Sequence, residues 1–582
     1  MRNWTLSSRL KSDLIELIGS IYPQQDSEVL LAQIVEAFWS GDHLPRRKSR
    51  TLSAAPWSEK DSYLIAYGNS IVDGEHKPLD LLHDFLLANL KGVVNGVHIL
   101  PFFPFTSDDG FAITDYRTVN STLGDWEDIN RISHNFRLMS DLVLNHCSSQ
   151  SAWFNDYLQG HEPYDKFFFE ASPDDDLSEV VRPRAHALLR AVETANGTRH
   201  VWCTFSHDQV DFDFSNPEVL LEFLRIMRFH IDQGVRTIRL DAVAFIWKEI
   251  GTSCIHLPQT HAIVRLMRVL ADYSDVPLVL ITETNVPKNE NLSYFGNRNE
   301  AHVIYNFSLP PLILQALLHG TSKTLNAWQM TMPPAQPGCT YFNFTASHDG
   351  IGLRPAEGLL TDDEIDGMID TVKGFGGLVS MREAAGGTSR PYELNVSLFD
   401  ALSGTVKGKD EWNISRFLCG QAIAMALEGI PAFYIHSLLA TPNDLAGVEK
   451  TNHNRAINRH RWHYPELLEK LADPSSQQAL VFAQMKQLIA IRIRQPAFHP
   501  NATQYTLQLG DRMFGFWRQS RDRSQSIFAI HNVTDETVSI PTRSLNLFDG
   551  ENWKDLVSGQ QLQEFGGDIT FAPYQVRWIT NQ

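Results

Sequence analysis

The chain lacks most of the marks of a specialised environment. Its five cysteines, Cys147, Cys203, Cys254, Cys339 and Cys419, are odd in number, widely scattered and without any CxxC pair. That excludes a disulfide framework or a cysteine zinc site and fits a reducing compartment. An excess of positive charge is missing as well. Fifty Lys and Arg stand against 68 Asp and Glu, a formal charge of −18, so a polyanionic partner such as nucleic acid is not expected. The one short basic run, Pro45 to Arg50, reads as a solvated linker. Uninterrupted apolar runs of membrane length are also absent. The longest, Phe417 to Ile435, contains Gln421, Glu428, Gly429 and Pro431 and reads as a buried helix turning into a strand. Arg9, Lys11 and Asp13 interrupt the opening residues, so neither a secretory leader nor a membrane span is expected, and a cytoplasmic location is.

What is present is an ordinary globular composition, 43% apolar and 20% charged over 582 residues. That length suits two to four domains, or one large α/β barrel with attachments. Residues 1–58 hold two amphipathic helices, RLKSDLIELIGSIY and SEVLLAQIVEAFW, divided by Pro23 and closed by Gly41. They precede everything catalytic, which points to a docking or oligomerisation accessory and leaves a homodimer open. From residue 59 the pattern alternates. Eight strand-like runs, SYLIAYG, GVHILPF, LMSDLVLNH, TIRLDAV, PLVLITET, HVIYNF, TYFNFTAS and PAFYIHS, are mostly separated by helical ones. This is the signature of a (β/α)8 TIM barrel, spanning 59–146 and 216–499. Residues 147–215 form an inserted subdomain after the third strand, and 500–582 alternate as an antiparallel β domain.

In such barrels catalytic groups sit where strands end. Asn145 and His146 end the third strand, Arg239 and Asp241 the fourth, Glu283 the fifth, and His348 and Asp349 the seventh. In TIRLDAV, Arg239 and Asp241 leave one face of a strand together, which alone is satisfied equally by a buried salt bridge or by a functional pair. Three carboxylates, two histidines and an arginine at one rim suggest glycosyl chemistry. Retention needs two carboxyl groups roughly 5 to 5.5 Å apart, about what adjacent strands offer to Asp241 and Glu283. Arg239 would keep Asp241 ionised, and Glu283, with no arginine two residues before it, is better placed to hold a proton.

The segments DLVLNH, IRLDA, ITET and ASHD resemble, in order, the four motifs of the α-amylase family, glycoside hydrolase family 13. The resemblance implies Asp241 as nucleophile, Glu283 as general acid/base and Asp349 as transition-state stabiliser. Arg239, His146 and His348 then hold the nucleophile and the glucose hydroxyls. GVHILPFFPFTSDDGFAITDY, RLDAVAFIWKEIGTSC, YNFSLPPL, SHDGIG and NDLAGVEKTNHNRAINRHRW are similar to the sucrose phosphorylase subfamily. This implies that Asp108 and Arg455 pair across the far end of a pocket for one glucosyl unit, with Gln209 among the sugar-binding residues. Phe111 and Phe245 become apolar walls, Phe245 standing where that subfamily has tyrosine.

Phosphorolysis needs cations beside the leaving-group site. The resemblance offers Arg184 in RPRAH, and Arg390 and Tyr392 in TSRPYELN. The helical extension, ITETNVP, AHVIYNFSLPP and YELNVSLFDALS most resemble the glucosylglycerate-cleaving members, in which Arg390 would take the glycerate carboxylate bidentately. Ser389 precedes Arg390 here, the reverse of the order expected there, which leaves a neutral acceptor such as glycerol open; sucrose phosphorylase, weakened by Arg390 standing where those enzymes have an acid, and glucosylglycerol phosphorylase are the alternatives within the subfamily. An α-glucosidase or transglucosidase, and a barrel without catalysis, are the further alternatives. The aspartates of SPDDDL read as solvated, so no metal and no cofactor are expected; sugar and inorganic phosphate are the expected partners.

Overall fold

The computed structural model describes residues 6–39, 45, 56–384, 388–545, 552–562 and 567–582. Apart from Pro45, the basic run at 45–50 lies outside the described residues. Eight strands close a parallel barrel: β1 Tyr63–Ala66, β2 Gly96–Ile99, β3 Arg137–Val143, β4 Val235–Asp241, β5 Val279–Thr282, β6 Val303–Tyr305, β7 Thr340–Asn343 and β8 Ile430–Tyr434. Each pairs with its sequence neighbours, and β8 pairs with β1. They are almost wholly buried, as strands covered by helices outside and side chains inside must be. The run at Phe417 to Ile435 forms the end of a buried helix, Asn413–Ala426, followed by β8.

The helices between strands start where the sequence supplies caps. Asp125 accepts from the N–H groups of Glu127 and Asp128, and Asp128 accepts in return from the Asp125 N–H, opening helix Trp126–Asn135. Asn216 caps Pro217–Asp232, with proline at the first helical position, where its missing N–H costs nothing.

Between β3 and that helix the chain leaves the barrel. It exits along His146–Ser148 and returns along Gln209–Asp211, and the two segments pair antiparallel. His146 therefore belongs to this separate ribbon, not to the end of the barrel strand, and the ribbon sets it beside Gln209. The excursion carries a helix, Ala152–Gln159, and a hairpin of Leu189–Thr194 with Gly197–Trp202.

After β7 a second hairpin, Leu378–Ala384 with Thr388–Asn395, contains a bulge. Ser380 faces Glu393 and Met381 faces Pro391, so Tyr392 is the extra residue. Beyond the barrel, five antiparallel strands run in the order Thr503–Thr506, Met513–Gln519, Ser526–Asn532, Val576–Thr580, Lys554–Asp555. Buried Arg518 joins this sheet to the barrel by donating to Ala426 O (2.7 Å), and Arg492 Nε, on a barrel helix, donates to Met425 O (3.0 Å), so the last carbonyls of Asn413–Ala426 are satisfied.

The two N-terminal helices, Ser8–Ile21 and Ser27–Trp39, form as the amphipathic pattern predicts. Leu10, Leu14, Ile18 and Ile21 make the buried stripe of the first. The first helix packs on Pro258–Asp272 and the second on Pro217–Asp232. Their apolar faces are covered by this chain's own barrel helices.

Among the described residues no helix is long and apolar enough to cross a membrane. Within the same residues no group of histidine, cysteine and carboxylate side chains is arranged to hold a metal ion.

Candidate active site

A cavity of about 720 Å³ opens where the barrel strands end. Every residue singled out from the sequence lines it except Arg390 and Asn145.

At its centre, Arg239 lies between the rings of Phe111 and Tyr305, 5.7 and 5.5 Å from their centroids. Its guanidinium bonds Asp141 and Asp241 (2.6 Å to Asp241 Oδ1) and reaches Glu283 Oε1 at 3.9 Å. Asp141 is in turn held by His98 Nε2 (2.6 Å). Burial opposes its charge, but His98 and Arg239 draw its carboxyl down to about 2. The register Leu240 to Thr282 sets Asp241 and Glu283 side by side on β4 and β5. Ala242 then adopts a left-handed backbone (φ 49°), costly for a residue with a Cβ, and its N–H donates to Glu283 Oε2 (3.0 Å). Burial pushes both carboxyls upward; Glu283 adds to the rise of Asp241, and Asp349 and Asp141 to that of Glu283, while Arg239 opposes both. One proton is therefore retained between them. The short contact from Arg239 favours charge on Asp241 and leaves that proton on Glu283.

On one wall stand Asp349, His348 and Arg455. Arg455 bonds Asp349 Oδ1 (2.6 Å) and grips Glu393 through Nε and Nη2 (2.8 and 3.0 Å), whereas Asp108 lies 3.8 Å away. The pairing expected between Arg455 and Asp108 is thus a long contact, because two nearer carboxylates occupy the guanidinium. Burial works against the charge on Asp349, yet Arg455, His348, Arg459 and Arg239 hold it well below the usual carboxylate range. Arg459 and Asn458 fix the main chain there by donating to the carbonyls of His348 and Asp349.

Asp108 and Asp109 take successive left-handed conformations, and Arg459 holds Asp109 (2.6 Å). Gly110 completes the turn at φ 119°, and a Cβ there would fall 2.6 Å from Pro101 O. This turn brings Phe111 flat onto His348, 4.9 Å between centroids. His146, pushed by burial down to about 4 and hence neutral, bonds Gln209 (3.1 Å), whose amide also reaches Asp108 Oδ2 at 3.5 Å. Asn145 lies behind them, bound to Asp211 (2.9 Å) and to the buried Lys248 (3.0 Å), which also holds the Phe245 carbonyl.

The remaining lining is apolar and cationic. Phe245 meets Phe205 edge-on at 5.5 Å, and Arg184 lies over Tyr392 (4.8 Å) and Phe205 (5.6 Å). Among the described residues Arg184 makes no ion pair. Arg390 is exposed on the hairpin and does not line the cavity, while Tyr392, the extra residue of the bulge, does. Asn285, Arg354 and Phe205 line the cavity without having been expected to. Asn285 falls inside the ITETN stretch two residues after Glu283, a usable signal; Arg354 lies five residues beyond Asp349 in a short 3-10 turn, with none.

The α-amylase catalytic-domain model matches residues 87–349, which contain Asp241, Glu283 and Asp349. A glucosylglycerate phosphorylase from Spirochaeta thermophila is 42% identical over 97% of this chain and 98% of its own length.

The chain belongs to the α-amylase family.

Within that family it is also similar to a sucrose phosphorylase from Bifidobacterium adolescentis, 30% identical over 71% of this chain and 82% of that protein. Among solved α-amylase-family folds, sucrose 6F-phosphate phosphorylase from Thermoanaerobacter thermosaccharolyticum superposes with a TM-score of 0.72. It is 24% identical, covering 90% of this chain and all of the other, a likeness of fold. The α-amylase-family barrel accounts for the rim on which the carboxylates converge.

Proposed function

We propose that the chain is a retaining phosphorylase that converts 2-O-α-D-glucosyl-D-glycerate and phosphate to α-D-glucose 1-phosphate and D-glycerate, reversibly. The observation that carries this reading is the near-full-length likeness to a glucosylglycerate phosphorylase, against the lower and shorter likeness to a sucrose enzyme. Asp241 attacks the anomeric carbon as Glu283 gives its proton to the departing glycerate oxygen, leaving a glucosyl ester on Asp241. A phosphate oxygen then attacks the same carbon, its proton passes to Glu283, and Asp241 leaves as carboxylate. Asp349, kept ionised by Arg455, steadies the positive charge that develops on the sugar. The wall of Asp108, Phe111, His146, Gln209 and His348 accepts the single glucosyl unit. Arg184, with no carboxylate of its own, favours phosphate over water. We place the reaction in the cytoplasm, where charged glucose 1-phosphate is retained.

Incubation with glucosylglycerate tests the reading. Glucose 1-phosphate should form only with phosphate (or arsenate yield glucose), and equal release of glucose in phosphate-free buffer would mean a hydrolase. Asp241→Asn should lower kcat by several orders of magnitude, as removal of an activated nucleophile does.

A further inference from the structure

With Arg390 turned away, the cavity has a different cation near Glu283 and Asn285. Arg354 follows Ile351–Gly352, a short strand that pairs with Leu394 and Glu393 of the hairpin. Leu353 N–H donates to the carbonyl of the bulged Tyr392 (2.9 Å), so the bulged residue anchors the backbone beside Arg354. Its side chain is 14% exposed and lines the cavity.

The guanidinium is held from behind. Glu290 Oε2 lies 3.6 Å from Arg354 Nη2 and 3.0 Å from His256 Nε2, and His256 Nδ1 meets the Tyr294 hydroxyl at 2.8 Å. A contact as long as 3.6 Å orients the arginine without occupying its fork, which leaves paired N–H groups for a second carboxylate. Beside it, Asn285 Oδ1 is buried without a hydrogen-bond partner. Gly352 is what allows that placement, since a Cβ there would stand 2.7 Å from Asn285 Oδ1. A planar cation next to an unpaired acceptor matches a small hydroxy acid, one end negative and the other carrying O–H. Arg184, stacked on two rings and bonded to its neighbour's carbonyl (3.1 Å), is the less open of the two cations.

We propose that Arg354 is the residue that selects an anionic acceptor: its guanidinium takes the acceptor carboxylate while Asn285 Oδ1 accepts from the adjacent hydroxyl. The inference rests on the phosphorylase reading and names the group that makes glycerate, and not a neutral polyol, the substrate. A neutral acceptor such as glycerol brings no carboxylate to meet the open N–H groups of Arg354.

The experiment runs the full-length protein in the synthetic direction, with α-glucose 1-phosphate as donor and D-glycerate or glycerol as acceptor. Arg354→Gln should raise KM for glycerate by about tenfold or more, with KM and kcat for glycerol within about twofold of wild type. Arg354→Lys, which keeps the charge but not the fork, should fall between. Unchanged glycerate KM in Arg354→Gln overturns the assignment, and so does an equal loss for both acceptors, the sign of a structural role. If the wild-type protein uses glycerol or fructose but ignores glycerate, the functional reading itself fails, and this one with it.

Discussion

Arg239 faces three carboxyl groups that differ in charge for reasons visible in their surroundings. Asp141 has His98 and the arginine; Asp241 and Glu283 have each other, and burial raises both. A carboxyl raised by folding adds stability below its unfolded value near 4 and loses it as pH climbs through the folded value. Glu283→Gln should therefore melt above wild type at pH 8, the gap closing toward pH 4. Asp349 has the opposite sign: its lowered carboxyl stabilises above pH 4 and ceases to as pH falls. Asp349→Asn should melt below wild type at pH 7 and approach it in acid. Thermal scans of the three proteins from pH 4 to 8 check both, and a Glu283→Gln gap that stays constant with pH would refute the shared-proton account. At this scale the sequence was legible where polar residues interrupt apolar strands, as with Arg239, Asp241 and Glu283. Glu393 was not, because nothing local to TSRPYELN tells that its partner is Arg455, 62 positions on.

The barrel strands were readable as elements because each is a short apolar run bounded by turn residues or helices, and length and order then leave little choice. The hairpin after β7 shows the limit. The resemblance of TSRPYELN brings Arg390 and Tyr392 together to one site, but the segment is a strand with a bulge at Tyr392, and only Tyr392 lines the cavity. Arg390→Ala should accordingly leave KM for phosphate and for the acceptor within about twofold of wild type, measured by initial rates in both directions. A tenfold rise in either would return Arg390 to the site. His146 shows a milder case, since its ribbon with Gln209–Asp211 depends on where a distant segment returns.

For the whole molecule, periodicity located the N-terminal helices but not what they cover, because an apolar stripe does not name its partner. Here the stripe lies on the flank of the barrel, tied further by the Tyr22 hydroxyl donating to Phe214 O (2.9 Å). Leu14→Ala, at a fully buried position, should cost about 2 to 5 kcal/mol in urea unfolding while kcat of the surviving folded protein stays unchanged. Loss of activity ahead of unfolding would mean that the helices also shape the site. The grip of Arg455 on Glu393 has a consequence for recombining such proteins. The hairpin beside the cavity shares a guanidinium with Asp349, so it is not a detachable module. A hairpin transplanted from a relative with no acid at position 393 would leave Arg455 free to swing, loosening Asp349 along with the loop. Exchanges meant to change only the acceptor should travel with the carboxylate, or turnover on every acceptor will fall together.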